Sequence, residues 1–136
     1  MKIYWDSSAL FNALASKTVF DRFDADEHTT RSHGFVEVFS HLTGRGLPMK
    51  DGSRQRVRPS DAAKMVSGLA PHLSLRDLSG AETLAAINLA ETRGIQGARI
   101  HDLLHARAAS LAGVQKILTR DESFSSLGEP VETEWP

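Results

Sequence analysis

Two apolar runs each end on an aspartate: Lys2-Ile3-Tyr4-Trp5-Asp6 and Lys116-Ile117-Leu118-Thr119-Arg120-Asp121. Each reads as a short buried strand with an acid at its carboxyl end. In open parallel sheets, ligands bind just outside those ends. Two segments far apart in sequence thereby deliver two carboxylates to one crevice. Two further acids lie beside apolar helical stripes. Glu37 flanks Phe35, Val38, Phe39 and Leu42; Asp102 flanks Ile100, Leu103 and Leu104. Asp102, Ala106 and Ala109 share a face of small residues, along which a helix can approach a sheet closely. Gathered carboxylates repel one another unless a cation neutralises them. The chemistry that follows is a hard divalent metal acting on phosphate. Ser8 and Thr119, each two residues from an aspartate, carry hydroxyls that can orient the carboxylates. Each acid also has a plain structural use. Asp6 can cap the helix after it, and Asp102 suits a helix N-terminus as a favourable charge. Asp21, Asp24, Asp26 and Glu27 read as a solvated turn.

The elements that must position these acids follow from periodicity and stop signals. Ser7 to Ala15 reads as a helix, and Glu27 to Arg31 as a weak strand. Ser32 is a candidate cap for a helix that Gly44 stops. Residues 44–59 hold the turn signal Asp51-Gly52 and form a small hairpin or an open loop. Ser60 can cap a helix through Leu69. Leu73 to Leu78 alternates like a strand. Ser79-Gly80-Ala81-Glu82 is a capping box opening a helix that Gly94 ends. Ala98 to Ala112 is the clearest helix, with Ile100, Leu103, Leu104, Ala108 and Leu111 on its buried side. Val131 to Trp135 is a last strand. Strands alternating with helices predict an α/β fold with a parallel sheet covered on both faces.

The 136 residues suit one domain over 1–136. The absence of cysteine excludes disulfides, thiolate zinc sites and cysteine nucleophiles, and it fits a reducing, cytoplasmic setting. No apolar run is long enough to span a bilayer, so no membrane is expected. No export signal is visible, because Asp6 interrupts the apolar start. With a net charge of -1, any nucleic-acid signal must be local. The most basic stretch runs from Arg45 through Lys50, Arg54, Arg56 and Arg58. It reads equally as a solvated loop or as a phosphate-contacting segment, in which Arg54, Arg56 and Arg58 are the candidate substrate-binding residues.

Four segments together resemble the PIN-domain family, and within it the VapC-type toxins of toxin–antitoxin pairs. They are Tyr4-Trp5-Asp6-Ser7-Ser8-Ala9-Leu10, Phe35-Val36-Glu37-Val38-Phe39, Ile100-His101-Asp102-Leu103-Leu104 and Ile117-Leu118-Thr119-Arg120-Asp121-Glu122-Ser123-Phe124. The last is close to the family's Thr-x-Asp-x-x-Phe signature. The resemblance implies a three-layer α/β/α sandwich with strand order 3-2-1-4-5. It implies an endoribonuclease that uses Mg²⁺ or Mn²⁺, with Asp6, Glu37, Asp102 and Asp121 as catalytic and metal-binding acids and Ser8 and Thr119 as their polar helpers. Glu122 is a further acid beside the last of these. The implied partners are an RNA substrate, a small antitoxin protein and a second copy in a homodimer.

Three other readings compete. His101-Asp102-Leu103-Leu104-His105 has the spacing of a zinc-hydrolase helix, with His33, His41 or His72 as a third ligand. The chain could instead be a PIN-like binding module without catalysis. A phosphatase-like hydrolase with Asp6 as nucleophile would want a second aspartate where Ser8 stands.

Overall fold

Lys2–Trp5 (β1) is apolar on both sides, as a strand must be in the middle of a sheet covered by helices. The computed structural model describes residues 2–23 and 27–135, apart from the side chains of Lys17 and Glu122. After β1 come Ser7–Ala15 (α1), Glu27–Thr30 (β2), Ser32–Gly44 (α2), Leu47–Pro48 (β3), Arg54–Gln55 (β4) and Pro59–Ser67 (α3). Ser74–Leu75 (β5), Gly80–Arg93 (α4), Arg99–Leu111 (α5), Lys116–Leu118 (β6) and Glu132–Glu134 (β7) complete the chain. Asp24 and Asp26 lie outside the described residues.

The main sheet has five strands in the order β5-β2-β1-β6-β7, all parallel. The numbers differ from 3-2-1-4-5 because β3 and β4 form a separate antiparallel hairpin and shift the later labels. The spatial succession is unchanged once the hairpin is set aside. Pleating sends alternate side chains to opposite layers. Ile3, Trp5 and Leu118 enter a core with Leu10, Val38, Leu42 and Leu69, while Tyr4 and Ile117 enter one with Leu103, Ala106, Ala109 and Phe124. Full burial of each large apolar side chain contributes about 1.5–3 kcal/mol. This is the α/β/α sandwich expected.

Several local expectations are corrected. Ser32 does not cap α2. Asp77 does so from another segment, accepting the Ser32 amide at 2.7 Å and its hydroxyl at 2.8 Å. That turn of the chain also cuts β5 to two residues, shorter than 73–78. Helix α3 starts at Pro59, whose missing N–H is no loss in a first turn, so Ser60 lies inside it. Leu111 is 40% exposed. The buried face of α5 centres on Ala106 and Ala109, and the stripe of Ile100, Leu104 and Leu111 lies on its flank.

The segment before β7 is tied down by a buried acid. Glu129 takes Arg93 at 2.9 Å, Arg107 at 3.2 Å and the Ser110 hydroxyl at 2.9 Å. Burial pushes its carboxyl up, but these donors outweigh that and hold it below the usual range. Glu129→Gln should therefore destabilise the fold at neutral pH by about 2 kcal/mol, a typical value for hydrogen bonds to a charged group. A depressed carboxyl stabilises above its unfolded value and loses that contribution as pH falls through its folded value. Urea melts at pH 7 and below pH 4 should show the wild-type advantage shrinking in acid. A pH-independent difference would contradict this.

Candidate metal centre and nucleic-acid cleft

Asp6 leaves β1 and opens α1. Its Oδ1 accepts the Ala9 amide at 3.0 Å and the Ser8 hydroxyl at 2.6 Å, and the Thr119 hydroxyl donates to Oδ2. The residue is only 5% exposed. Its capping use is therefore real, and the same hydroxyls also tie it to the opposite strand. Ser8 Oγ accepts the Arg120 amide and Thr119 Oγ1 the Asp121 amide, both at 3.0 Å. Two small hydroxyls thus fasten the carboxyl end of β1 to the turn after β6.

Asp121 is exposed and caps a 3-10 turn over Glu122–Leu127, accepting the Ser123 amide at 2.8 Å. The Glu122 side chain lies outside the described residues. Glu37 projects from α2 and is half-buried. Its Oε1 meets His105 Nε2 at 2.7 Å, and its Oε2 takes a long bond of 3.4 Å from Ser7 Oγ. Burial pushes the Glu37 carboxyl up, yet the hydrogen bond and charge of His105 bring it below its ordinary value.

Asp102, in the first turn of α5, goes the other way. Burial raises its carboxyl, the charge of Asp121 raises it further, and Asp6 and Glu37 add to the effect against the opposing His105. Asp102 therefore feels the negative charge of all three other acids. Among the described residues no three acids or histidines converge closely enough to hold a metal as their side chains lie. The donor set is nevertheless all hard oxygen. Mg²⁺ keeps several waters and needs only one or two protein carboxylates. These residues fit such an ion.

They do not fit zinc. Both ring nitrogens of His105 are engaged, one by Glu37 and the other by the Tyr4 hydroxyl at 2.7 Å. His101 stacks on His33, with ring centroids 6.2 Å apart. His41 packs against Phe11, and His72 lies flat on Phe20. The His101/His105 zinc helix is thereby corrected: His105 serves a buried hydrogen-bond chain, while His101 stacks on His33 at the surface.

A cleft of about 480 Å³ opens beside Glu37 and Ser8 and is flanked by Arg45, Arg54 and Arg120. Arg54 is held there by Gly46 O at 2.9 Å and His41 Nε2 at 3.0 Å. Of the three arginines expected to meet substrate, it alone lines the cleft. Arg56 donates to Gly44 O at 2.9 Å, and Arg58 lies 3.6 Å from Asp61. Arg120 is a cleft residue that sequence reasoning missed; the signal that could have found it is its place between Thr119 and Asp121. Its guanidinium sits over the exposed Trp135, 4.7 Å from the ring centroid. His105 stood out in the sequence only as a zinc candidate, although its i, i+3 relation to Asp102 puts both on one helical face.

The sheet order and the layers are those of a PIN-like fold. Two solved structures share it. One is VapBC2 from Rickettsia felis bound to a DNA fragment from their promoter, matched over 98% of this chain and 98% of that chain, with TM-score 0.69 and 15% identity. The other is PAE2754 from Pyrobaculum aerophilum, matched over 98% and 89%, with TM-score 0.67 and 16% identity. At such identities the likeness is one of fold. No family model matches the chain, and no curated protein does.

Proposed function

We propose that this chain is a Mg²⁺- or Mn²⁺-dependent endoribonuclease and the toxin of a type II toxin–antitoxin pair. The observation that carries the reading is that Ser8 and Thr119 tie Asp6, at the carboxyl end of β1, to the turn that carries Asp121 after β6, in a PIN-like fold. Burial and the charges of Asp121, Asp6 and Glu37 disfavour ionisation of the half-buried Asp102, and a divalent cation is the simplest relief. Asp6, Glu37, Asp102 and Asp121 would hold it. When bound, the ion supplies a water activated near neutral pH and stabilises charge developing on the phosphate. Ser8 and Thr119 fix the Asp6 carboxylate, and Arg45, Arg54 and Arg120 take the phosphates of the RNA. The antitoxin is the partner in this reading, which the VapBC2 match supports. A homodimer and a cytoplasmic setting belong to the same proposal. No helix among the described residues is long and apolar enough to cross a membrane.

The purified protein should cut end-labelled, single-stranded RNA internally when Mn²⁺ is present. RNA left intact at every metal concentration would overturn the reading. The cleft makes a narrower prediction. Replacing Arg45, Arg54 and Arg120 with Ala should weaken RNA binding and flatten its salt dependence, by about 0.7 in log–log slope for each phosphate no longer neutralised. Arg56→Ala with Arg58→Ala should leave the slope near wild type. Equal flattening by both sets would place the RNA track outside the cleft.

A further inference from the structure

Three of the elements that carry the acids meet at one buried histidine. His105 sits on α5 one turn beyond Asp102 and is 1% exposed. Its Nδ1 lies 2.7 Å from the hydroxyl of Tyr4, in the centre of β1. Its Nε2 lies 2.7 Å from Oε1 of Glu37, on α2. Helix α2 packs closely here at Gly34: a Cβ there would crowd Leu10 Cδ1 at 3.1 Å and Thr30 Oγ1 at 3.3 Å, and would meet His105 Cε1 at an ordinary 3.7 Å. The chain Tyr4–His105–Glu37 reaches beyond the acids and hydroxyls of the metal centre itself.

We infer that His105 is a positioning residue, locked by Tyr4, that fixes which oxygen of the Glu37 carboxylate faces the cleft. The inference rests on the nuclease reading above for the use made of Glu37, but the hydrogen-bond chain itself does not. An ionised carboxylate only accepts hydrogen bonds, so the proton facing Glu37 belongs to Nε2. The Tyr4 phenol keeps its proton at neutral pH and can donate it to Nδ1. The two contacts together place a proton on Nε2, pointing at Glu37. The ring cannot turn without breaking both bonds inside a packed core. Oε1 of Glu37 is therefore held, while Oε2 has only the long Ser7 contact and remains available to a ligand. Outer partners of this kind typically change metal affinity or activity by about 10–100-fold when removed.

Three variants test this. Tyr4→Phe keeps the ring and removes one hydroxyl. His105→Leu removes both nitrogens, and His105→Gln restores an N–H donor at a similar reach. In metal-free wild type, ¹⁵N NMR should show a proton on His105 Nε2, and Tyr4→Phe should shift the Nδ1 resonance, whose hydrogen-bond partner is gone. The Mn²⁺ concentration giving half the rise in melting temperature should increase about 10–100-fold in Tyr4→Phe and His105→Leu. Single-turnover cleavage at saturating RNA should fall with it, at unchanged RNA affinity, and His105→Gln should recover most of the loss. If His105→Leu fails to fold, Tyr4→Phe carries the test alone. An Nδ1–H tautomer overturns the proposal. So does a wild-type Mn²⁺ response in Tyr4→Phe, or equal impairment of the Gln and Leu variants. A wild type with neither cleavage nor Mn²⁺ response overturns the nuclease reading and the role of Glu37, while the tautomer still reports whether the chain exists.

Discussion

Asp6→Asn should abolish RNA cleavage and leave the protein folded. Loss of an outer partner of a metal ligand costs about 10–100-fold, and loss of a ligand itself should exceed that. The fold should survive because the shape of the carboxylate is kept. Asn ranks with Asp as a helix cap, so its oxygen can still take the Ala9 amide now bound at 3.0 Å. Two effects then oppose each other. Removing a charge relieves repulsion on Asp102, which Asp6 helps to raise. It also weakens the bonds from Ser8 and Thr119, which now meet a full carboxylate. With each of order 1 kcal/mol, the metal-free melting temperature should move by no more than about 5 °C. If Asp6 is only a cap, the variant keeps full activity. Cleavage rate and metal-free melting curve, measured on the same preparation, separate the two cases.

Asp102→Asn should reverse its rank against wild type when metal is added. Without metal, burial and then the charge of Asp121 raise the Asp102 carboxyl in the folded state. An acid raised on folding destabilises the fold when ionised. That cost is complete above the folded value and disappears below the unfolded value of about 3.9. A favourable interaction with the N-terminus of α5, about 0.3–1 kcal/mol, works the other way and narrows the gap. In EDTA at pH 7 the variant should therefore melt above wild type, with the gap closing as pH falls toward 4. At a hundredfold excess of Mn²⁺ over its Kd, wild type should gain about 2.7 kcal/mol, or roughly 10 °C for a chain of this size. The variant should gain clearly less. Equal gains would remove Asp102 from the centre.

The parts of the fold that the sequence made legible were those set by local chemistry. Asp6 before an apolar helix, the Ser79–Glu82 capping box and Gly94 past a helix end mark boundaries with their own atoms, and those boundaries hold. The parts it hid depend on distant residues. Ser32 looked like a cap, but Asp77, forty-five positions away, does that work. The arginines of the hairpin looked equivalent because nothing local shows that Arg54 turns into the cleft while Arg56 turns to Gly44. His105 was ambiguous for the same reason. A histidine one turn from an acid can ligate a metal or accept a hydrogen bond, and the choice depends on Tyr4 from β1 and Glu37 from α2. The four acids were visible because strand ends and helix stripes are short-range patterns. Their mutual field on Asp102 required the fold.

The central claim, that these acids make a metal-dependent RNA-cutting centre, is tested most directly by removing and restoring the metal. Wild-type protein is stripped with EDTA, mixed in excess with end-labelled single-stranded RNA, and then supplied with Mn²⁺ beyond the chelator. The RNA should stay intact until the ion is added and appear as internal fragments afterwards, with no fragments from Asp6→Asn under the same conditions. Cleavage that proceeds at full rate in EDTA, or that Asp6→Asn supports as well as wild type, would contradict it.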